Sequence, residues 1–152
     1  LSGPWRRHDV GRRAAPPRRV EGPWLVTNSA AEAWRSEDAW ILASLGTGRR
    51  GMTLSQLIGA ADAYNHAIPT RDELASALGA LMAAGLAEVT ADGYRATSAG
   101  LALRKRWKGG MFTWSKGLLP QLEGLPRVSE EWPLSDEDFA TAYRDYRRRS
   151  RV

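Results

Sequence analysis

The stretch ELASALGALMAAGLAEVTADGYRATSAG, residues 73–100, joins a helical pattern, a hairpin pattern and a second helical start within one short span. Its first half has apolar residues at helical spacing, and Gly85 suits a left-handed helix end because glycine has no Cβ to clash there. Its second half centres on Asp92-Gly93, a pair preferred in type I′ hairpin turns, where both central residues take positive φ. Thr97 is a typical N-cap. The stretch therefore predicts helix, hairpin, helix.

Two further helices are predicted upstream of this stretch. The segment NSAAEAWRSEDAWILASL, residues 28–45, predicts a first helix that begins after an Asn or Ser cap. The segment TLSQLIGAADAYN, residues 53–65, predicts a second helix behind a Thr53 cap. The bend HAIP leads to the third helix, where Thr70 and Glu73 have capping-box spacing. The predicted apolar stripes are Leu54, Leu57, Ile58 and Ala61 in the second helix, and Leu74, Ala77, Leu78 and Leu81 in the third.

This order of elements resembles a winged helix-turn-helix domain of the kind found in the bacterial MarR and PadR regulator families. The resemblance covers roughly residues 34–107, and it is carried by L-x-x-A-G-L at the end of the third helix, the D-G turn and the following Y-R-x-T-x-x-G. The stretch DAYNHAIPTRDEL is similar to small bacterial proteins of this fold. We therefore expect a mainly α fold with a small β-hairpin wing, continued by a C-terminal helical extension.

The resemblance implies a DNA-binding transcriptional regulator in which the third helix enters the major groove and the wing touches the backbone or the minor groove. The residues that would contact double-stranded DNA are Arg49, Arg50, Arg71, Ser76, Arg95, Arg104, Lys105, Arg106 and Lys108. The third helix departs from this expectation, because base reading needs exposed Arg, Lys, Asn or Gln side chains. The residues predicted to face outward on this helix are Arg71, Asp72, Glu73, Ser76, Gly79, Ala80 and Ala83, with one cation against two acids.

The net charge of +5 is concentrated at the two ends of the chain. Residues 1–24 have a net charge of +4, residues 25–143 have −3, and the last helix ends in a cluster of arginines. Because Lys and Arg supply most of the affinity for phosphates, the acidic central part is a poor non-specific DNA binder on its own. Residues 1–27 mix Arg pairs with Pro and Gly, and we interpret them as a disordered or extended leader.

The sequence divides into a leader at 1–27, a winged-helix domain at 28–108, an extension at 109–134 and a C-terminal helix at 135–152. The extension is interrupted by Gly and Pro, so we expect irregular or short-helical structure that packs back on the domain. The last helix has Ser135 as its cap, acids in its first turn and arginines at its end, which is the charge order that a helix dipole favours. It folds onto its own domain or pairs with a second copy in a homodimer.

No pattern in the chain supports catalysis, so we expect a non-enzyme without cofactor or metal. There is no cysteine, and His66 has no His or Cys nearby in sequence with which to form a metal site. Gly46, Gly48 and Gly51 match G-x-G-x-x-G, but a dinucleotide loop requires a preceding strand, and here a helix precedes it. No run of apolar residues is long enough for a membrane span and cysteine is absent, so we expect a cytoplasmic protein with no membrane partner.

Two functions remain open at this point. The first is the DNA-binding regulator, acting as a dimer. The second is a winged-helix module for protein–protein interaction within a larger assembly, without sequence-specific DNA binding, in which the acid-bearing third helix contacts a protein partner.

Overall fold

The computed structural model describes residues 32–45, 50–107, 109–110 and 113–150, which form a mainly helical fold with one small antiparallel hairpin. The predicted leader and the glycine-rich segment 46–49 lie outside the described residues. In chain order, the elements are α1 (Ser36–Ser44), α2 (Leu54–Asn65), α3 (Arg71–Ala83), β1 (Ala87–Thr90), β2 (Gly93–Ala96), α4 (Ser98–Lys105), α5 (Trp114–Leu122) and α6 (Asp136–Ser150).

Three threonines begin three of the helices, as their sequences predicted. The Thr53 hydroxyl accepts a hydrogen bond from Gln56 N–H at the start of α2 (3.0 Å). The Thr70 hydroxyl accepts one from Glu73 N–H at the start of α3 (3.0 Å), and the Glu73 carboxylate accepts one in return from Thr70 N–H (2.9 Å). Thr97 caps α4 in the same way through Gly100 N–H (3.1 Å). These short-range patterns satisfy N–H groups that a helix start leaves unpaired.

The first helix begins later than predicted. Residues 32–35 are not helical, and α1 begins at Ser36 rather than after an Asn or Ser cap near residue 28. The Asp38 carboxylate accepts a hydrogen bond from Arg35 N–H (2.8 Å), which fixes the chain at the helix entrance. The prediction was wrong because Asp38 supplies the start signal from within the first turn.

The hairpin is confirmed, but the predicted type I′ turn at Asp92-Gly93 is wrong. Thr90 pairs with Gly93, so Ala91 and Asp92 form the turn, and Asp92 does not have positive φ. Gly93 lies instead in β2, with φ of 127°. A Cβ at this position would collide with the carbonyl group of Met52. The glycine is therefore required by close backbone approach rather than by the turn itself.

Met52 adds a third segment to the edge of this hairpin. Met52 N–H donates to Tyr94 O (2.7 Å), and Tyr94 N–H donates to Met52 O (2.8 Å). This single bridge connects the chain before α2 to β2 at Tyr94.

The core is centred on α1, which packs against α2, α3 and α5. Side chains from all four helices are fully buried there, among them Ile41, Leu57, Leu78 and Leu118. Trp40 stacks on Trp114, with ring centroids 6.4 Å apart. Aromatic pairs of this kind add to the stabilisation provided by apolar burial.

The segment after α4 contributes to this core. It contains α5, whose Leu118 and Leu122 are fully buried. The following residues, 123–135, are named here the α5–α6 linker; they cross α3 without forming a helix or strand. Helix α6 then packs on α2, confirming the predicted helix with its Ser135 cap, whose hydroxyl accepts from Asp138 N–H (2.9 Å).

Candidate functional site

Helix α3 was expected to contact DNA, and its first residue is already surrounded by acids. The Arg71 guanidinium pairs with Asp72 (2.5 Å) and Asp136 (3.4 Å), and it lies 3.9 Å from Glu131. It also donates a hydrogen bond to Leu134 O (2.5 Å). The hydrogen bond to Asp72 raises the pKa of Arg71 above its usual value. Arg71 therefore connects the start of α3 to the α5–α6 linker and to α6.

The next candidate on α3, Ser76, lies at the edge of a buried charge network. Its hydroxyl accepts hydrogen bonds from Arg35 Nη1 (3.1 Å) and from Arg127 Nη2 (3.2 Å). Arg127 belongs to the linker and is 1% exposed, an unusual position for a charged side chain. Ser76 is half-buried and connects α3 to Arg35 and to the linker.

Arg127 is buried without losing its hydrogen-bond partners. Its Nε and Nη2 donate to the two carboxylate oxygens of Asp38 (2.8 and 3.2 Å), and its Nη1 donates to Glu32 (3.0 Å). Burial lowers the pKa of Arg127, but the hydrogen bonds and charges of Asp38 and Glu32 outweigh it and raise the pKa above its usual value. The guanidinium also lies 5.7 Å from the centroid of the Trp34 ring. Such a fully paired guanidinium holds the linker, α1 and α3 together.

Beyond Arg127, the backbone of the linker lies directly on α3. Trp132 N–H donates to Ala75 O, a carbonyl in the middle of the helix (2.9 Å). At the next turn, a Cβ on Gly79 would collide with Glu130 O. The predictions that Gly79 and Ala80 face outward were therefore wrong, because both residues are buried. The central part of α3 is covered by the protein's own chain.

The side chain of Trp132, a linker residue, connects α3 to the hairpin. Its Nε1 donates to the Tyr94 hydroxyl (3.1 Å), and the two rings meet edge to face with centroids 6.1 Å apart. Burial is the main cause of the raised pKa of Tyr94. The indole therefore fills the space between α3 and β2.

Two depressions flank this contact. One, of about 970 Å³, lies between the N-terminal turn of α2, the linker and α6, and its walls mix Asp138 and Asp145 with Arg148 and Arg149. The other, of about 320 Å³, lies beside α3. Its lining includes five carboxylates, those of Glu37, Asp72, Glu73, Glu130 and Glu131. Carboxylates at this density repel phosphates, so the uncovered part of α3 is unfavourable for nucleic acid.

Two other predicted DNA contacts have structural partners. Arg95 pairs across the hairpin with Glu88 (2.7 Å). Arg104 reaches the end of α1, where its Nη1 donates to Leu42 O (3.0 Å), Ala43 O (2.9 Å) and Leu45 O (2.6 Å). A cation at this position compensates the carbonyl groups that a helix end leaves unpaired.

The remaining predicted contacts are divided between the surface and the undescribed residues. Arg50, Lys105 and Arg106 are exposed, and Arg106 Nη1 lies 3.4 Å from the side-chain oxygen of Gln121. Arg49 and Lys108 lie outside the described residues. The structure therefore does not bring the predicted set together on one face of α3, and DNA contact by its exposed members stays a prediction.

Among the described residues, no group of three or more His, Cys, Asp or Glu side chains could hold a metal ion. His66 has positive φ (52°) at the end of α2, and its N–H donates to Asp62 O (2.6 Å). It therefore terminates a helix, as its place at the bend predicted. Gly46 and Gly48 of the G-x-G-x-x-G match lie outside the described residues.

The sequence interpretation missed Arg127 and Asp38, the pair that holds the linker in place. Arg127 occurs in LEGLPRVSEEWP, where nothing in the local pattern distinguishes a buried arginine from an exposed one. Asp38 has the appearance of a solvated acid in the first turn of a helix. Their contact spans 89 residues, so no local signal could have revealed it.

Comparison with known proteins gives no relative from which to transfer a function: no family model, no curated protein and no solved structure matches this chain. In the described part of the chain, none of the helices has the length and apolar character needed to cross a bilayer. Function must therefore be argued from the surfaces described above.

Proposed function

We propose that this protein is a winged-helix module for protein–protein interaction that does not read DNA sequence through α3. The order of α1 to α4 around the hairpin, with Met52 bridged to Tyr94, supports the winged helix-turn-helix topology. Because the α5–α6 linker lies on α3, we favour the interaction module over a sequence-specific DNA-binding regulator.

One observation carries the proposal: the linker backbone occupies the face of α3 that would enter a major groove. The hydrogen bond from Trp132 N–H to Ala75 O and the close approach of Glu130 to Gly79 cover the middle of this face, and they leave the exposed Asp72 and the half-buried Ser76 towards its N-terminal end. Base readout requires side chains within hydrogen-bonding distance of the groove. A sequence-specific regulator would therefore have to remove the linker from α3.

Removing the linker would be energetically costly. Arg127 anchors it to Asp38, and both side chains are buried. Lifting the linker away would break the Arg127–Asp38 ion pair and the hydrogen bond from Trp132 N–H to Ala75 O together, and it would leave Asp38 without its cation. We therefore take the covered arrangement as the working state of α3 and place the partner at its acidic N-terminal end, which the linker leaves exposed.

The expected homodimer through α6 stays a prediction with less support. The apolar edge of α6 packs on α2 of the same chain, where Ala142 is buried and the Tyr146 ring lies over Gly59. This edge is therefore already occupied, and a dimer would need another surface of α6.

A selection from a random pool of duplex DNA at low salt tests the proposal directly. We expect the full chain to retain duplexes without enriching any sequence motif. An enriched motif whose binding weakens in Ser76→Ala would overturn the proposal and favour the regulator.

A second experiment tests the protein partner. A photo-crosslinking residue is introduced at exposed Asp72 in one variant and at exposed Lys116 in a matched control, and both are expressed in the native cell. We expect a defined protein adduct at position 72 that is absent at position 116. Nucleic-acid adducts at position 72 would contradict the proposal.

A further inference from the structure

The C-terminal half of α6 presents an exposed basic surface. Arg144, Arg147 and Arg148 are all exposed, and together with Tyr143 they line an open depression of about 590 Å³. We call these three arginines the α6 basic surface. None of them takes part in the contact between the linker and α3, so the proposed function leaves this surface without a role.

This surface is carried by a helix that is firmly attached to the domain. The Tyr146 hydroxyl donates to the Asp62 carboxylate (2.5 Å), and Arg149 Nη2 donates to Ser55 Oγ (2.6 Å). Both contacts attach α6 to α2 on the side where its aromatic edge is packed. The exposed arginines therefore project from a fixed helix, which reduces the entropy lost when a ligand is bound.

The arginines are partly ordered before any ligand binds. Arg147 Nη1 donates to the Tyr143 hydroxyl (3.0 Å), and its guanidinium lies 5.8 Å from the centroid of the same ring. Arg148 pairs with Asp145 (2.5 Å), while its side chain remains 71% exposed. Arg144 contacts the Thr141 hydroxyl (3.3 Å). Exposed contacts of this kind are weak, so the guanidinium groups remain available to a stronger anion.

Charge is separated along α6. Its first turn contains Asp136, Glu137 and Asp138, whereas its last turn contains Arg147, Arg148 and Arg149. Glu131 of the linker and Asp136 lie near Arg71, so these acids are at the N-terminal end of α6, beside α3. The positive potential is thus concentrated at the C-terminal end, away from the acidic depression beside α3.

We infer that the α6 basic surface binds the phosphate backbone of duplex DNA without sequence preference. A helix rises 1.5 Å per residue, so the backbone positions of Arg144 and Arg148 lie about 6 Å apart along the axis and can serve neighbouring phosphates. The planar guanidinium group binds a phosphate through two parallel hydrogen bonds. Duplex DNA presents about one phosphate per 1.7 Å of its axis, a regular array of anions that such a surface can follow.

The test measures binding of the full chain to two unrelated 20-base-pair duplexes by fluorescence anisotropy between 50 and 200 mM salt. The variant combines Arg144→Gln, Arg147→Gln and Arg148→Gln. The slope of log K against log salt is negative, and each lost phosphate contact should reduce its magnitude by about 0.9. We expect the variant to bind at least ~10-fold more weakly than wild type at 100 mM salt. Wild-type affinity for the two duplexes should agree within about threefold if only the backbone is contacted.

The matched control is Lys116→Gln, which removes one charge from an exposed position on α5 outside the predicted DNA contacts, and it is compared with Arg147→Gln alone. We expect Lys116→Gln to reduce the magnitude of the salt slope by less than half as much as Arg147→Gln does. Equal losses in the two variants would overturn the inference, because net charge alone would then explain the binding. Thermal unfolding of both variants verifies that they remain folded.

Two further outcomes would also overturn the inference. One is the absence of wild-type binding at 50 mM salt, and the other is tighter binding to single-stranded RNA or to anionic lipid vesicles than to duplex DNA. The inference and the proposed function can fail separately. Sequence selectivity in the pool experiment contradicts the covered α3, whereas retained binding by the triple α6 variant contradicts only the α6 basic surface.

Discussion

Two arginine-containing regions of this protein differ in what surrounds the guanidinium groups. Arg127 is buried and donates to Asp38, Glu32 and Ser76, so its hydrogen-bonding groups are used within the fold. The arginines of the α6 basic surface are exposed, and their contacts are confined to neighbours on the same helix. The Arg127 network holds parts of the fold together, whereas the guanidinium groups of the α6 basic surface are accessible to a ligand. Burial thus separates an arginine whose donors are used within the fold from arginines whose guanidinium groups face solvent.

The largest expected effect comes from Arg127→Met, which removes the buried guanidinium while keeping most of its volume. Asp38 would remain buried without its partner, so the free energy of unfolding should fall by about 3–5 kcal/mol. Urea denaturation followed by tryptophan fluorescence measures the loss. The control Arg148→Met, on the α6 basic surface, should change the unfolding free energy by less than ~1 kcal/mol. Similar losses in the two variants would remove the distinction between the regions.

A smaller loss is expected from Gly79→Ala, which tests how closely the linker is packed on α3. The added methyl group would collide with Glu130 O, and overpacking of this kind costs about 1–3 kcal/mol. The amide proton of Trp132 should also exchange faster, because its hydrogen bond to Ala75 O would be strained. In the control Gly124→Ala, the nearest atom to the new methyl group is Gln121 O, at an ordinary 3.6 Å. If the amide proton of Trp132 exchanged at the wild-type rate in Gly79→Ala, the linker would not be closely packed on α3.

Arg104 and Arg106 allow the same comparison within one short segment. Arg104 donates to three carbonyl groups at the end of α1, so Arg104→Met should lower the unfolding free energy by about 1–2 kcal/mol. Arg106→Met should have an effect below ~0.5 kcal/mol, because this side chain is exposed. Urea denaturation of the two variants measures the difference. If Arg104→Met instead retained full stability and lost only DNA affinity, the residue would be a nucleic-acid contact, as its sequence first predicted.

Features that depend on residues close together in the chain could be predicted from the sequence. The caps at Thr53, Thr70 and Thr97 are local, since each involves residues three positions apart. The apolar stripes of α2 and α3 follow the helical period, and Leu57 and Leu78 are buried as expected. Local chemistry was therefore sufficient for α2, α3, the start of α4, the presence of the hairpin and the start of α6.

The features that were not predicted depend on contacts distant in sequence. Gly79 resembles a neutral surface residue until the linker, more than fifty positions later, lies across it. Gly93 suited a hairpin turn by composition, yet the backbone of Met52 is what requires a glycine there. The same holds for the candidate site: the list of basic residues was visible in the sequence, but their partition into buried, paired and exposed groups requires the tertiary structure.

The smallest effect concerns Tyr146, which attaches the helix of the α6 basic surface to α2. Its hydrogen bond to Asp62 raises the pKa of the Tyr146 hydroxyl, burial adds to the increase, and Arg147 and Arg149 oppose it. A raised pKa means that the unfolded chain loses this proton first, near pH 10. The stabilisation by the protonated hydroxyl is therefore complete below about pH 10 and is lost as pH rises through the folded-state pKa.

Tyr146→Phe should consequently lower the unfolding free energy by about 0.5–1.5 kcal/mol at pH 7, since one hydrogen bond is removed. The difference from wild type should shrink above about pH 10, because the wild-type hydroxyl then ionises beside the Asp62 carboxylate. Urea denaturation at pH 7, 9 and 10.5 measures this change. The control Tyr143→Phe removes a hydroxyl that contacts Arg147 rather than Asp62. A pH-independent difference for Tyr146→Phe would show that the Asp62 contact does not hold α6 in place, and the α6 basic surface would then lack its fixed support.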